Sequence, residues 1–150
     1  MIRTVLCYRC ETWVMSNKIE SALGAFERKI LRRIVGPVNE NGQWRIRYNQ
    51  EGMEQYLDME IVTHIKLRRL EWAGHTNRME NQRIPRKIME GRIYGKTPTG
   101  RPKDRWADVV REDARQVLGG LAWKRTPLDR SDWKRRIEEV KAIAEEDEIH

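Results

Sequence analysis

Cysteine, histidine and long apolar runs are all scarce in this chain of 150 residues, and each scarcity removes a class of protein. The cysteines are Cys7 and Cys10, spaced C-x-x-C. That spacing supplies half of a zinc site, but the next candidate ligands, His64 and His75, lie far downstream and eleven residues apart, where a knuckle needs close spacing. A thioredoxin-like motif would open a helix after a strand in a βαβ unit, and no such alternation follows. Two structural thiols are therefore expected, with no metal and no cofactor, in an intracellular reducing compartment, nucleus or cytoplasm. No apolar run approaches the ~18 residues of a membrane span, so neither a secretory signal nor a membrane partner is expected. A P-loop, an internal repeat of fixed period and a strand-rich region are also missing.

What is present is a polar but foldable mixture, 39% apolar and 35% charged, of single-domain length. Six tryptophans stand against one phenylalanine, spread from Trp13 to Trp133, as anchors of several helix contacts would be. They point to packing before stacking on bases. The net charge of +7 is uneven: residues 137–150 carry −5, leaving +12 on residues 1–136. A basic body with an acidic tail favours nucleic acid over a small acidic ligand.

Hydrophobic spacing predicts a mainly α domain of four to five amphipathic helices. Residues 1–15 are too short to decide between helix and strand. A helix over 16–35 follows from Ile19, Leu23, Phe26, Ile30 and Ile34, with Ser16 as cap and Gly36-Pro37 as stop. Its other face carries Arg28, Lys29, Arg32 and Arg33, read first as a solvated surface. Asn-Gly turn chemistry and the alternation Trp44-Arg45-Ile46-Arg47-Tyr48 suggest a short extended segment near 43–48. A brief helix from Asn49 through Leu57 comes next, then the longest one, 58–79, with Ile61, Ile65, Trp72 and Met79 on one line and Val62 and Ala73 beside it. Another stripe of that helix carries His64, Arg68, Glu71 and His75, a surface ion-pair stripe in which no two histidines have the metal-binding i, i+4 spacing. Helices over 103–118 and 130–145 complete the set, and the expected core residues are Ile30, Ile65, Trp72, Trp106, Val110, Trp133 and Ile137.

After the helix expected over 58–79, and opening into the one over 103–118, lies the most basic stretch, RIPRKIMEGRIYGKTPTGRPKDRW, residues 83–106. Eight basic side chains against Glu90 and Asp104 leave +6 on 24 residues. Gly91, Gly95, Gly100, Pro98 and Pro102 argue against a regular helix through its middle, which predicts an exposed basic Gly/Pro loop. Pro102 suits the first turn of the following helix, where a phosphate would meet free backbone N–H groups. On charge alone two readings stay open, a solvated loop and a polyanion footprint.

Several segments, taken in order, carry a family resemblance. They are Tyr8-Arg9-Cys10-Glu11-Thr12-Trp13, the run Phe26 to Ile34, Trp44 to Asn49, Arg69-Leu70-Glu71-Trp72-Ala73-Gly74-His75, Gly100 to Trp106, and Asp129-Arg130-Ser131-Asp132-Trp133. Together they resemble the region after the palm in the endonuclease and reverse transcriptase polyproteins of LINE-type non-LTR retrotransposons. The resemblance covers nearly the whole chain. It implies a helical thumb-like and C-terminal region over 1–118, followed by a connector and C-terminal helix with acidic tail over 119–150. Two departures stand out: Arg9 replaces a usual glycine and Cys10 a small residue, and the aromatic-x-Asp-Asp carboxylates that hold two polymerase metals are missing, since the chain contains no Asp-Asp. Met1 then reads as a start within a larger coding region.

The function expected from this is a non-catalytic nucleic-acid-binding fragment that grips the template or primer backbone, RNA or DNA. Arg92, Lys96, Arg101, Lys103 and Arg105 are the expected phosphate contacts, with Arg45, Arg47, Arg68 and Arg69 flanking them. No catalytic residue is expected. An alternative is a protein-interaction or inert fragment that packed on the missing palm domain. A remoter one is a restriction-like nuclease remnant, suggested by Asp129 with Glu139-Val140-Lys141.

Overall fold

A computed structural model describes residues 2–56, 59–91, 105–119 and 129–146. Among them the chain forms seven α-helices and one two-stranded hairpin, a mainly α fold as the patterning implied. In order these are α1 (Ile2–Leu6), a 3₁₀ turn (Cys10–Thr12), α2 (Asn17–Val35), β1 (Val38–Glu40), β2 (Gln43–Arg45), α3 (Asn49–Tyr56), α4 (Ile61–Asn77), α5 (Ile84–Glu90), α6 (Trp106–Val117) and α7 (Arg130–Glu146). The short α1 and α5 are additions to the expected set. No helix of the described residues is long and apolar enough to cross a membrane.

The described residues fall into two units, one within Met1–Val14 and Ile65–Glu138, the other within Met15–His64 and Glu139–His150. Each unit draws on segments far apart in the chain.

In the first unit Cys10, Ile65, Leu67, Leu70, Ala73, Val110, Ala114, Trp133 and Ile137 are buried. Four of the expected core residues, Ile65, Val110, Trp133 and Ile137, are among them, while Trp72 and Trp106 are only half-buried. Both remain at an edge for a visible reason. The Trp72 ring lies 5.3 Å from that of the exposed His75, and the Trp106 indole N–H donates to the Glu11 carbonyl at 2.9 Å. A tryptophan tied to a polar group sits where one end can stay wet.

The single apolar line expected along α4 understates its burial, because Arg69, Thr76 and Asn77 are enclosed as well. Each of these polar side chains has a partner, as burial demands. Thr76 Oγ1 donates to the Trp72 carbonyl at 2.9 Å and Asn77 Nδ2 to the Ala73 carbonyl at 3.0 Å. The end of α4 is closed by α5, whose Arg86 Nη1 donates to both the carbonyl and the side-chain oxygen of Asn77, each at 2.8 Å. Trp133 on α7 reaches α4 through an indole N–H bonded to the Leu70 carbonyl at 3.2 Å. Its ring lies directly against Gly74: a Cβ there would stand 2.2 Å from Nε1.

In the second unit Met15, Leu31, Met59, Ile61 and Val62 are buried. Helix α2 turns Gly24, Glu27 and Leu31 inward. Its expected stripe is therefore off the buried face: Leu23 and Ile30 are half-buried, and Ile19, Phe26 and Ile34 are exposed. The inward Glu27 accounts for this rotation, since its carboxylate accepts the Ile61 N–H at 2.9 Å and so caps the start of α4. Gly36 ends α2 at φ 73°, its N–H bonded to the Arg32 carbonyl at 3.2 Å. The hairpin turns on Asn41 and Gly42, with φ 53° and 85°, the twin positive values that an Asn-Gly pair supplies. Asn39 Oδ1 accepts the Gly42 N–H at 2.9 Å, and the register pairs Val38 with Arg45 and Asn39 with Trp44.

Candidate nucleic-acid interface

The basic stretch expected as one loop begins as a helix. Pro85 stands in the first turn of α5, where its fixed φ and missing N–H suit helix entry, so residues 84–90 coil before Gly91 stops them. Arg83 and Lys87 are exposed there, while Arg86 is half-buried and committed to Asn77 and to Glu90 at 2.6 Å. Arg92, Lys96, Arg101 and Lys103, together with Pro102, lie outside the described residues. Arg105 is exposed and occupies the N-cap position of α6, which starts at Trp106.

Among the flanking arginines, Arg69 requires correction. It is 0% exposed, its Nε 2.6 Å from the Asp113 carboxylate on α6 and its Nη1 2.6 Å from the Trp13 carbonyl. A guanidinium enclosed and neutralised in this way is a structural strut and offers nothing to a phosphate in solution. Its neighbour Arg68 is exposed and pairs with Glu71 at 3.1 Å, so the ion-pair stripe of α4 is present at that step.

Arg45 is likewise committed. Its guanidinium bridges Glu40 and Glu51, donating to the two Glu51 oxygens at 2.9 and 2.6 Å, and lies 4.7 Å from the Tyr48 ring centre. The Arg45 hydrogen bonds, with the Tyr48 N–H at 2.8 Å, pull the Glu51 carboxyl from the ordinary 4.5 down to about 2. Arg45 thereby fastens the hairpin to the first turn of α3.

Arg47 differs. Its Nε donates to the Gly36 carbonyl at 3.3 Å, and among the described residues no carboxylate lies within ion-pair distance of it. It borders an open hollow floored by Leu31 and Val35 and rimmed by Arg28, Arg32, Arg47 and Tyr48. Arg32 Nη2 donates to Asn49 Oδ1 at 2.6 Å, and Arg32 too has no carboxylate partner among the described residues. The Arg28 guanidinium runs back toward Gly24, near Glu60. Of the basic face of α2, read from sequence as solvated surface, Lys29 and Arg33 are exposed, while Arg28 and Arg32 line the same hollow as Arg47. Their i, i+4 spacing was the available signal; the approach of Arg47 depends on the hairpin. Arg32 and Arg33 also complement the partial negative charge at the end of α2.

The segment after the turn inverts the usual pattern. Trp44, Ile46 and Tyr48 are 71%, 78% and 68% exposed, whereas Arg45 and Arg47 turn partly inward. Trp44 thus departs from the expectation that the tryptophans serve packing.

Other chemistry is limited among the described residues. No group of three or more His, Cys, Asp or Glu side chains is placed to hold a metal. Cys10 is buried, and burial, with Cys7 next in effect, pushes its thiol up to about 11, so it is protonated at neutral pH. Asp129 caps α7, accepting N–H groups of Ser131 and Asp132 at 2.9 and 3.3 Å, which hold its carboxyl below the usual range.

With this geometry in view, the chain was compared with known proteins. No family model and no solved structure matches it. An uncharacterized transposon-derived protein of Caenorhabditis elegans is 24% identical over 138 residues, which cover 89% of this chain and 50% of that protein. The chain therefore spans about half the length of this curated relative, and the similarity supports a transposon origin.

Proposed function

We propose that the chain is a nucleic-acid-binding segment of a LINE-type non-LTR retrotransposon reverse transcriptase, holding template or primer by its phosphate backbone without itself catalysing polymerisation. The observation that carries this reading is the similarity to a transposon-derived protein along 89% of the chain; beside it stands the resemblance of the ordered motifs to the post-palm region. Exposed cations support it. Among the described residues Arg83, Lys87 and Arg105, at either end of the basic stretch, have no carboxylate partner. Arg92, Lys96, Arg101 and Lys103 between them are the proposed phosphate contacts, with Arg47 and Arg68 flanking.

The test is a salt titration of binding to RNA and DNA, comparing the unmodified chain with Lys96→Ala/Arg101→Ala. Loss of two duplex phosphate contacts lowers the log–log salt slope by roughly 1.8 and weakens binding uniformly across sequences. An unchanged slope removes the basic stretch from the interface.

A second reading is favoured by apolar exposure. Ile19, Phe26 and Ile34 on α2 and Ile84 and Ile88 on α5 are open to solvent, and the chain spans half of its relative. On this reading these faces pack against a palm domain of a longer protein. The two readings are compatible, since they use different residues.

A further inference from the structure

We propose that the surface around the small hollow between α2 and the segment that follows the hairpin binds one nucleotide of a single strand, with Arg32 and Arg47 on its phosphate and Tyr48 stacked on its base. This rests on the reading that the chain binds nucleic acid, and it adds a site and a strandedness which that reading leaves open.

Three observations lead to it. First, the side chains of Arg32 and Arg47 line one hollow, and neither has a carboxylate partner among the described residues; each uses one N–H on a neutral oxygen, Asn49 Oδ1 for Arg32 and the Gly36 carbonyl for Arg47. A guanidinium has five donors, so several on each remain for an anion, and the planar fork matches phosphate oxygens. Second, the floor is apolar, made by Leu31 and Val35, which suits a sugar or base edge better than a hydrated ion alone. Third, Tyr48 borders the same hollow and is 68% exposed; Arg45 lies over its ring, held by Glu40 and Glu51. That brace holds an aromatic ring at the surface beside the free arginines.

The strandedness follows from the geometry of stacking. A base inside a duplex has both faces covered by its neighbours, so a ring at the protein surface reaches a base face only where the strand is unpaired or its end is frayed. Nearby acids do not defeat the site. Glu51 feels Arg47, but its oxygens are taken by Arg45 and the Tyr48 N–H, and Glu60 lies beside the Arg28 guanidinium at Gly24 and is not among the residues that line the hollow. Trp44, four residues earlier and 71% exposed, offers a second ring for a neighbouring base.

The experiment measures affinity of the full chain for a fluorescent homopolymeric single-stranded DNA and for a mixed-sequence duplex of equal length, each across a salt series. The variants are Tyr48→Ala, Tyr48→Phe and Arg32→Gln/Arg47→Gln, each checked for unchanged helix content. Tyr48→Ala is expected to weaken single-strand binding roughly 5- to 150-fold, the range of one base stack, and to leave duplex binding within about twofold. Tyr48→Phe keeps the ring face and restores the affinity. Removing both arginines releases one phosphate and lowers the single-strand salt slope by roughly 0.7. Equal losses on both nucleic acids with Tyr48→Ala, or no loss on either, overturn the seat while leaving nucleic-acid binding standing. Failure of the unmodified chain to bind either probe overturns the underlying reading and the seat together. Should Arg32→Gln/Arg47→Gln lose helix content, Arg32→Gln alone is the variant read, and an unchanged single-strand slope then counts against the site.

Discussion

Single residues in this chain divide into cations that are used up and cations that are left over, and sequence does not separate them. Arg68 and Arg69 are adjacent, yet one is exposed and the other wholly enclosed beside Asp113, 44 residues away on another helix. Only the packing of α6 on α4 distinguishes them. Because Arg69 is buried, removing its counter-ion strands a charge: Asp113→Ala is expected to lower stability by about 3–5 kcal/mol, measured by urea denaturation. Arg69→Met with Asp113→Leu removes both charges and should recover much of that loss. A second residue-level expectation concerns pH. The Glu51 carboxyl is depressed in the folded chain, to about 2 from 4.5, so its share of stability is complete above pH 4.5 and is lost as pH falls toward 2. NMR titration of that carboxyl should find a midpoint near 2, and Glu51→Gln should remove this part of the acid dependence. A midpoint near 4.5 would contradict the clamp with Arg45.

At the scale of elements, spacing and punctuation were legible where one face of a helix meets the core, and where turn chemistry is local. The expected helices over 16–35, 58–79, 103–118 and 130–145 correspond to α2, α4, α6 and α7, with ends that agree to within three residues. Asn41-Gly42 gave the turn, although β1 escaped notice because three residues carry too little alternation. The start of the basic stretch was misjudged for a physical reason: the loop was read from Gly91, Gly95, Gly100, Pro98 and Pro102, and Pro85 was left out of account, although a proline in a first turn begins a helix. Nor could spacing show that α4 is enclosed on nearly every side, since its hidden polar residues are satisfied by backbone carbonyls and by α5. Gly74 tests that packing. In an exposed helix Gly→Ala gains about 1 kcal/mol from propensity. Here the new Cβ meets the Trp133 ring at 2.2 Å, and overpacking of this kind costs about 1–3 kcal/mol or more, so Gly74→Ala should lower the melting temperature. A rise would mean that α7 does not sit on α4 in this way.

For the molecule as a whole, the charge pattern suggested a polyanion partner, whereas the hollow did not follow from sequence, because Arg32 and Arg47 come to line it only through the hairpin between them. Trp44, exposed on β2, runs against the packing role expected of the tryptophans. The transposon-derived relative extends to twice the span matched here. No primer extension with Mg²⁺ or Mn²⁺ is expected from this chain, because its sequence lacks the paired aspartates that hold the polymerase metals. Any extension that co-purifies with the chain and survives further purification would contradict that. The most direct measurement is the binding constant of the purified chain for RNA and DNA across a salt series. A log–log decline is predicted, with roughly 0.7 of slope per phosphate on single strands and 0.9 on duplex. Absence of binding at low salt, or an affinity indifferent to salt, would contradict a role in gripping the nucleic-acid backbone.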